Sequence, residues 1–218
     1  MHIIIRHLPL LGVATAIALL AISTFRYTGD VHWTRVTVSM LCAPELVDGE
    51  ANPGRGLAIL GLLLLCVSMS LLFELTSRLA DTRRSRGTIQ ISGIGAMVYA
   101  LLTATPMHNF MVSISLSFFV VAVASIISML HVKHCNLLAL AGIICLGFKL
   151  ASASLYYLNG FSEIWGTLQK LTFLLTTAWL FAVHLIVGKG RDKVQPNDLS
   201  GNDLAAVSSS TIAASGGS

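Results

Sequence analysis

Apolar residues fall along this chain in six long runs, separated by short polar breaks. The runs cover roughly 8–25, 57–77, 88–105, 110–131, 137–158 and 165–187. A helix needs about 20 apolar residues to cross a hydrocarbon core of about 30 Å, and every run approaches that length. The pattern predicts an all-α polytopic membrane protein, a bundle of six transmembrane helices within residues 1–187. "MHIIIRH" before the first run and "AIS" inside it also fit a signal peptide. The apolar stretch is long for that role and cleavage would leave an odd number of spans, so the first helix is read as retained.

The polar breaks carry the orientation. Arg78, Arg83, Arg84 and Arg86 lie between the second and third runs against Asp81 alone. Lys133 follows the fourth run, Lys189, Arg191 and Lys193 follow the sixth, and Arg6 precedes the first. In a six-span chain these all fall on one face. The other face receives Asp30, Glu45, Asp48 and Glu50 of the loop 26–56, the turn "TPMHN", and Glu163. Basic loops stay cytoplasmic, so both termini are expected inside. The segment 188–218 is rich in Ser, Ala and Gly and is expected to be a disordered cytoplasmic tail. In the loop 26–56, "VHWTRVTVSML" alternates enough for a short strand or an interfacial stretch anchored by Trp33.

Composition agrees with the pattern. Hydrophobic residues make up 55% and charged residues 11%, with a mean hydropathy of +0.78. Soluble domains carry about 25% charged residues. The net charge of +4 and pI near 9.0 follow from the cytoplasmic loops and do not argue for nucleic acid. Cys42, Cys66, Cys135 and Cys145 form no CxxC pair and read as packing thiols. His131, His134 and His184 lie at the predicted water boundaries, where haem ligation is not expected. No metal, cofactor or nucleotide motif is legible.

Lys149 is the most informative residue. It falls near the middle of the fifth run, about 10 Å or more from either boundary. A lysine there costs at least about 2.5–3.5 kcal/mol to insert and normally turns inward to a partner. Ser152, Ala153 and Ser154 beside it are small enough for close helix approach or water entry. It reads either as a functional charge or as a structural one bonded to serines and carbonyls. Glu74, four residues before Arg78, reads instead as an interfacial i,i+4 pair.

A second set of polar residues gathers at the outer ends of the runs. Pro106 opens a tight turn, Asn109 is suited to cap the fourth helix, and His108 is expected to face inward towards Ser39 and Glu45. Ser113 and Ser117 share a face below, and Gln169 and Lys170 start the sixth helix. Together they compose an outer polar cluster, with a carboxylate expected near His108.

The loop Ser39, Pro44 and Glu45, then Asn52, the basic loop, and the turn with Pro106 and His108 resemble the Frag/DRAM/Sfk superfamily of six-helix proteins and its bacterial relatives. The likeness covers about residues 31–187. It implies a membrane protein that acts on or senses lipids, without implying a reaction. Three functions remain open. The first is non-enzymatic binding of membrane lipids or a protein partner. The second is a small-solute or proton-coupled transporter using Lys149. The third is a lipid-modifying enzyme with His108 as base and Glu45 as its orienter. The cell membrane is the expected location, an organelle membrane the alternative.

Overall fold

The computed structural model describes residues 2–27, 34, 36–105, 107–159 and 165–194. These residues form seven helices: α1 His2–Arg26, α2 Val38–Cys42, α3 Arg55–Ser77, α4 Arg83–Leu102, α5 His108–Val132, α6 Asn136–Asn159 and α7 Trp165–Val194. Among the described residues there is no strand, only an isolated bridge between Glu45 and Ala51. Five helices, α1, α3, α5, α6 and α7, are long and apolar enough to cross a membrane. The chain is therefore all-α and of multi-pass membrane type. The third predicted span falls short of that measure because Arg83, Arg84, Arg86, Gln90 and Ser92 occupy the first half of α4.

Two expectations about the connecting segments change. The alternation read as a short strand or an interfacial stretch ends, where it is described, in a helix, α2, over Val38–Cys42. Thr37 starts it, its hydroxyl accepting a bond from the Met40 N–H at 3.2 Å. Trp33 and Pro106 lie outside the described residues. The last helix continues past the predicted end at 187 to Val194, so the start of the expected disordered tail is helical. Residues 195–218 lie outside the described residues.

By internal contacts the chain divides into Met1–His184, which holds the helix bundle, and Leu185–Ser218. Within the bundle α3 packs on α4, α4 on α5 and α5 on α6. The α7 helix closes the circuit. Its Trp179 Nε1 donates to the Leu138 carbonyl of α6 at 2.8 Å, and its Thr177 hydroxyl donates to the Met69 sulfur of α3 at 3.5 Å. The α1 helix packs on α3, where the buried Ser23 hydroxyl donates to the Gly54 carbonyl at 3.0 Å.

In lipid, helices associate through close packing and interhelical hydrogen bonds rather than by escaping water. Two glycines show how this works. A Cβ on Gly93 would overlap the fully buried ring of Phe73, and one on Gly142 would overlap the Trp179 indole. Each glycine lets a neighbouring aromatic lie directly on helix backbone. At the end of the bundle opposite α2, Arg78 pairs with Glu74 at 2.9 Å in the expected i,i+4 order. Nearby, Lys133 Nζ donates to both Asp81 carboxylate oxygens at 2.8 Å. These pairs are solvent-facing and contribute about 0–1 kcal/mol each.

Candidate functional site

Helices α3 to α7 enclose a cavity of about 130 Å³, with α2 contributing Val38, Ser39 and Cys42 at one end. The sequence builds its walls by helical repetition. On α3 the lining residues are Leu62, Leu65, Cys66 and Met69; on α6, Lys149, Ser152, Ala153 and Tyr156; on α7, Gln169, Thr172, Phe173 and Thr176. Each set follows the i, i+3, i+4, i+7 spacing that places side chains on one face of a helix. His108, Val112, Ser115 and Phe119 share one face of α5 at the related i, i+4, i+7, i+11 spacing. No α1 residue lines the cavity.

The polar groups are graded along its length. Nearest α2 stand Ser39, Thr103, His108, Tyr156 and Gln169. Lys149 lies seven residues from Tyr156 on α6, about 10 Å deeper at 1.5 Å per residue. Phe173 of α7 marks that depth beside Lys149, and Met69, Phe119 and Thr176 are further lining residues. Lys149 Nζ sits 4.6 Å from the centroid of the Phe173 ring, within the range of a cation–π contact. Among the described residues no Asp or Glu lines the cavity.

His108 and Asn109 divide their work differently from the sequence expectation. The α5 helix starts at His108, two residues before the apolar run, and its N-cap position is Met107, with no side-chain cap. Asn109 is therefore inside the first turn and caps nothing. Its side-chain oxygen instead accepts a bond from the Tyr156 hydroxyl of α6. His108 is the residue that satisfies a helix end. Its Nδ1 lies 2.7 Å from the carbonyl oxygen of Thr103, the C-cap of α4. A carbonyl only accepts, so Nδ1 carries the hydrogen, and in the neutral ring Nε2 holds the lone pair. The ring meets Tyr156 edge-on at 6.3 Å, and Tyr156 meets Tyr157 at 5.0 Å.

The structure brings His108, Ser39, Gln169 and Lys149 into one cavity. Ser113 is exposed and lies beside it, its hydroxyl 2.8 Å from that of Tyr157, a lining residue. Glu45 is exposed and Lys170 half-buried, and neither lines the cavity. The carboxylate expected next to His108 is thus replaced by the Thr103 carbonyl. The loop reaches the mouth through α2 rather than through Glu45. The Val38 N–H donates to the Gln169 side chain at 3.4 Å, and the Ser39 hydroxyl is 2.9 Å from that of Thr37. Behind α2, Asn52 is buried and donates to the carbonyls of Leu41 and Ala43 at 3.0 and 3.1 Å, while its oxygen accepts from the Gly54 N–H.

Sequence reasoning missed Tyr156, Tyr157, Phe173 and the two lining thiols. Tyr156 was within reach, because it stands one helical repeat from Lys149. The thiols were not, since nothing in their spacing marks Cys42 and Cys66 as neighbours of one space. All four cysteines are free. Burial pushes the Cys42 thiol up to about 11, offset in part by Arg55. Among the described residues no cluster of His, Cys, Asp or Glu could hold a metal ion. Compared with known family models, curated proteins and solved structures, the chain matches none.

Proposed function

We propose that this protein is a six-span membrane protein, both termini cytoplasmic, that binds an amphiphilic small molecule or the end-group of a lipid without transforming it. The observation that carries the reading is the cavity itself, mostly apolar in its walls and polar towards α2. A mostly apolar cleft with few convergent polar groups is the usual form of a ligand site. Size sets what enters. An apolar cavity of about 150 Å³ is filled by benzene, so a space of about 130 Å³ takes a head or short body and not a diacyl lipid.

Three features support binding over catalysis. The Ser115 hydroxyl donates to the Ala96 carbonyl at 2.8 Å, and that of Ser39 pairs with Thr37. Neither is held against His108 as a nucleophile would be held against its base. His108 is oriented by a carbonyl and not by Glu45. The lining thiol of Cys42 is kept protonated by burial, the opposite of an activated cysteine. Lipid contact also agrees with the roles implied by resemblance to the Frag/DRAM/Sfk superfamily, two of whose pattern residues, Ser39 and His108, meet at this cavity.

Filling the cavity tests the reading. Ala153→Phe places an aromatic ring in the space from the α6 wall. Small molecules and lipids released from purified wild type on denaturation should include one species near one per chain. That species should be absent from an Ala153→Phe protein of equal thermal stability. Equal content in both would overturn the reading. The Lys149 side chain favours a second reading, a small-solute transporter, because an intramembrane charge often marks a solute path. Uptake of the released species into sealed vesicles, against none for Ala153→Phe, would select it.

A further inference from the structure

We propose, resting on the reading of this cavity as a ligand site, that its ligand is an organic monoanion: a carboxylate on a short apolar or aromatic body, paired with the Lys149 ammonium. Among the described residues Lys149 is the one charged residue lining the cavity, and its Nζ lies 4.6 Å from the centroid of the Phe173 ring. A charge in a low-dielectric interior is costly unless an opposite charge meets it, and among the described residues no carboxylate lines the cavity. The ligand supplies the missing anion.

The walls choose among anions. One ammonium neutralises one negative charge. A phosphate monoester, near two charges at neutral pH, calls for several donors or a guanidinium fork, and no arginine among the described residues lines the space. Phe173 lies against Lys149, and Phe119 and Met69 line the same cavity, suited to a compact apolar body by dispersion, ring stacking and sulfur contact. Towards α2 the wall is polar, with Gln169, whose side-chain oxygen accepts from the Val38 N–H, and Tyr156, whose hydroxyl donates to Asn109. The volume, near that filled by benzene, bounds the body at about six carbons. Two sources share this chemistry, a free small acid and the carboxyl end of a single-chain fatty acid.

The test uses the full chain in phosphatidylcholine nanodiscs, with calorimetric titration of benzoate and of benzamide, its uncharged isostere. Benzoate should bind wild type about tenfold or more tighter than benzamide. Lys149→Met should erase that preference and Lys149→Arg should retain part of it. Equal binding of the two probes to wild type, or no binding of benzoate, would overturn the inference without any variant being made. Should both probes bind alike and both be lost in Ala153→Phe, the ligand-site reading stands and the anion falls. If Ala153→Phe leaves probe binding unchanged, the ligand-site reading falls as well. Palmitate that competes with benzoate identifies the fatty acid as the source; palmitate that does not compete identifies the free acid.

Discussion

His134 shows how much one backbone angle explains. It ends α5 with φ of 57°, the left-handed region. The Cys135 N–H bonds the Leu130 carbonyl at 2.9 Å and the His134 N–H bonds that of His131 at 3.0 Å. This is the paired closure of a helix C-terminus in which glycine usually occupies the left-handed position. His134 is thus a turn residue. His134→Gly should raise stability by about 0.5–1 kcal/mol, since the side chain's steric cost in this region exceeds glycine's entropy cost; the melting temperature in detergent reads it, and a lowered value would refute it. Cys42 gives a pH signature. Its thiol is raised from 9.0 to about 11, so the folded state favours the protonated form. The stability this confers is present below about pH 9 and is lost as pH climbs through 11. With the other cysteines replaced by serine, maleimide labelling of Cys42 should rise about tenfold per pH unit up to about pH 11. A rate that levels off by pH 9 would contradict it. The inward placement of His108 was legible from its position beside the turn. Its bond to Thr103 was not, because the start of α5 depends on a helix end the apolar run does not mark.

Periodicity read α3, α5 and α6 to within two residues at each end, while α1 and α4 start five or six residues earlier and α7 ends seven later than the apolar runs; it failed where tertiary contacts overrule local pattern. In Val38–Cys42 the sequence alternates like a strand. The segment folds as a helix because Thr37 caps its start and Asn52, ten residues beyond Cys42, holds the carbonyls of Leu41 and Ala43. Neither tie is visible as hydrophobic periodicity. The same failure explains the misassigned cap at Asn109, whose partner Tyr156 lies across the bundle. Asn52 is the test of α2 as the cavity's end wall. Asn52→Ala leaves two buried carbonyls and the Gly54 N–H without this partner, and should cost about 1–3 kcal/mol. Asn52→Asp should cost a similar amount, because a carboxylate cannot donate to those carbonyls. Thermal unfolding of both variants measures the effect, and loss in neither would show that α2 is held by apolar contacts alone.

The placement of α4 decides how the bundle sits in a bilayer. Five helices qualify as spans on length and apolarity, and α4 does not. Yet α4 packs between α3 and α5 and lines the cavity with Met97 and Ala100. Its 20 residues are about 30 Å long, enough for a hydrocarbon core. A helix seated between two spanning neighbours has its less apolar face turned to protein, which removes the need for a uniformly apolar surface. Its polar half also begins at the end of the bundle where Arg83, Arg84 and Arg86 are exposed, where basic side chains reach headgroups and water. Glu45, Asp48 and Glu50 are exposed at the α2 end. Arg26 and Arg55 are exposed there too, but Arg78, Arg83, Arg84, Arg86 and Lys133 make the other end the more basic among the described residues, the bias that the positive-inside rule expects of a cytoplasmic face if α4 spans. A reporter fused after Arg84 should therefore read as cytoplasmic, and one inserted beside Asp48 as extracytoplasmic. Replacing Arg83, Arg84 and Arg86 together by glutamate should produce a mixed population. If both reporters in the wild-type background lie on the same side, α3 does not cross as an independent span and the six-span arrangement is wrong. If they differ but the triple glutamate variant stays fully oriented, the six spans hold and the arginines are not what fixes them.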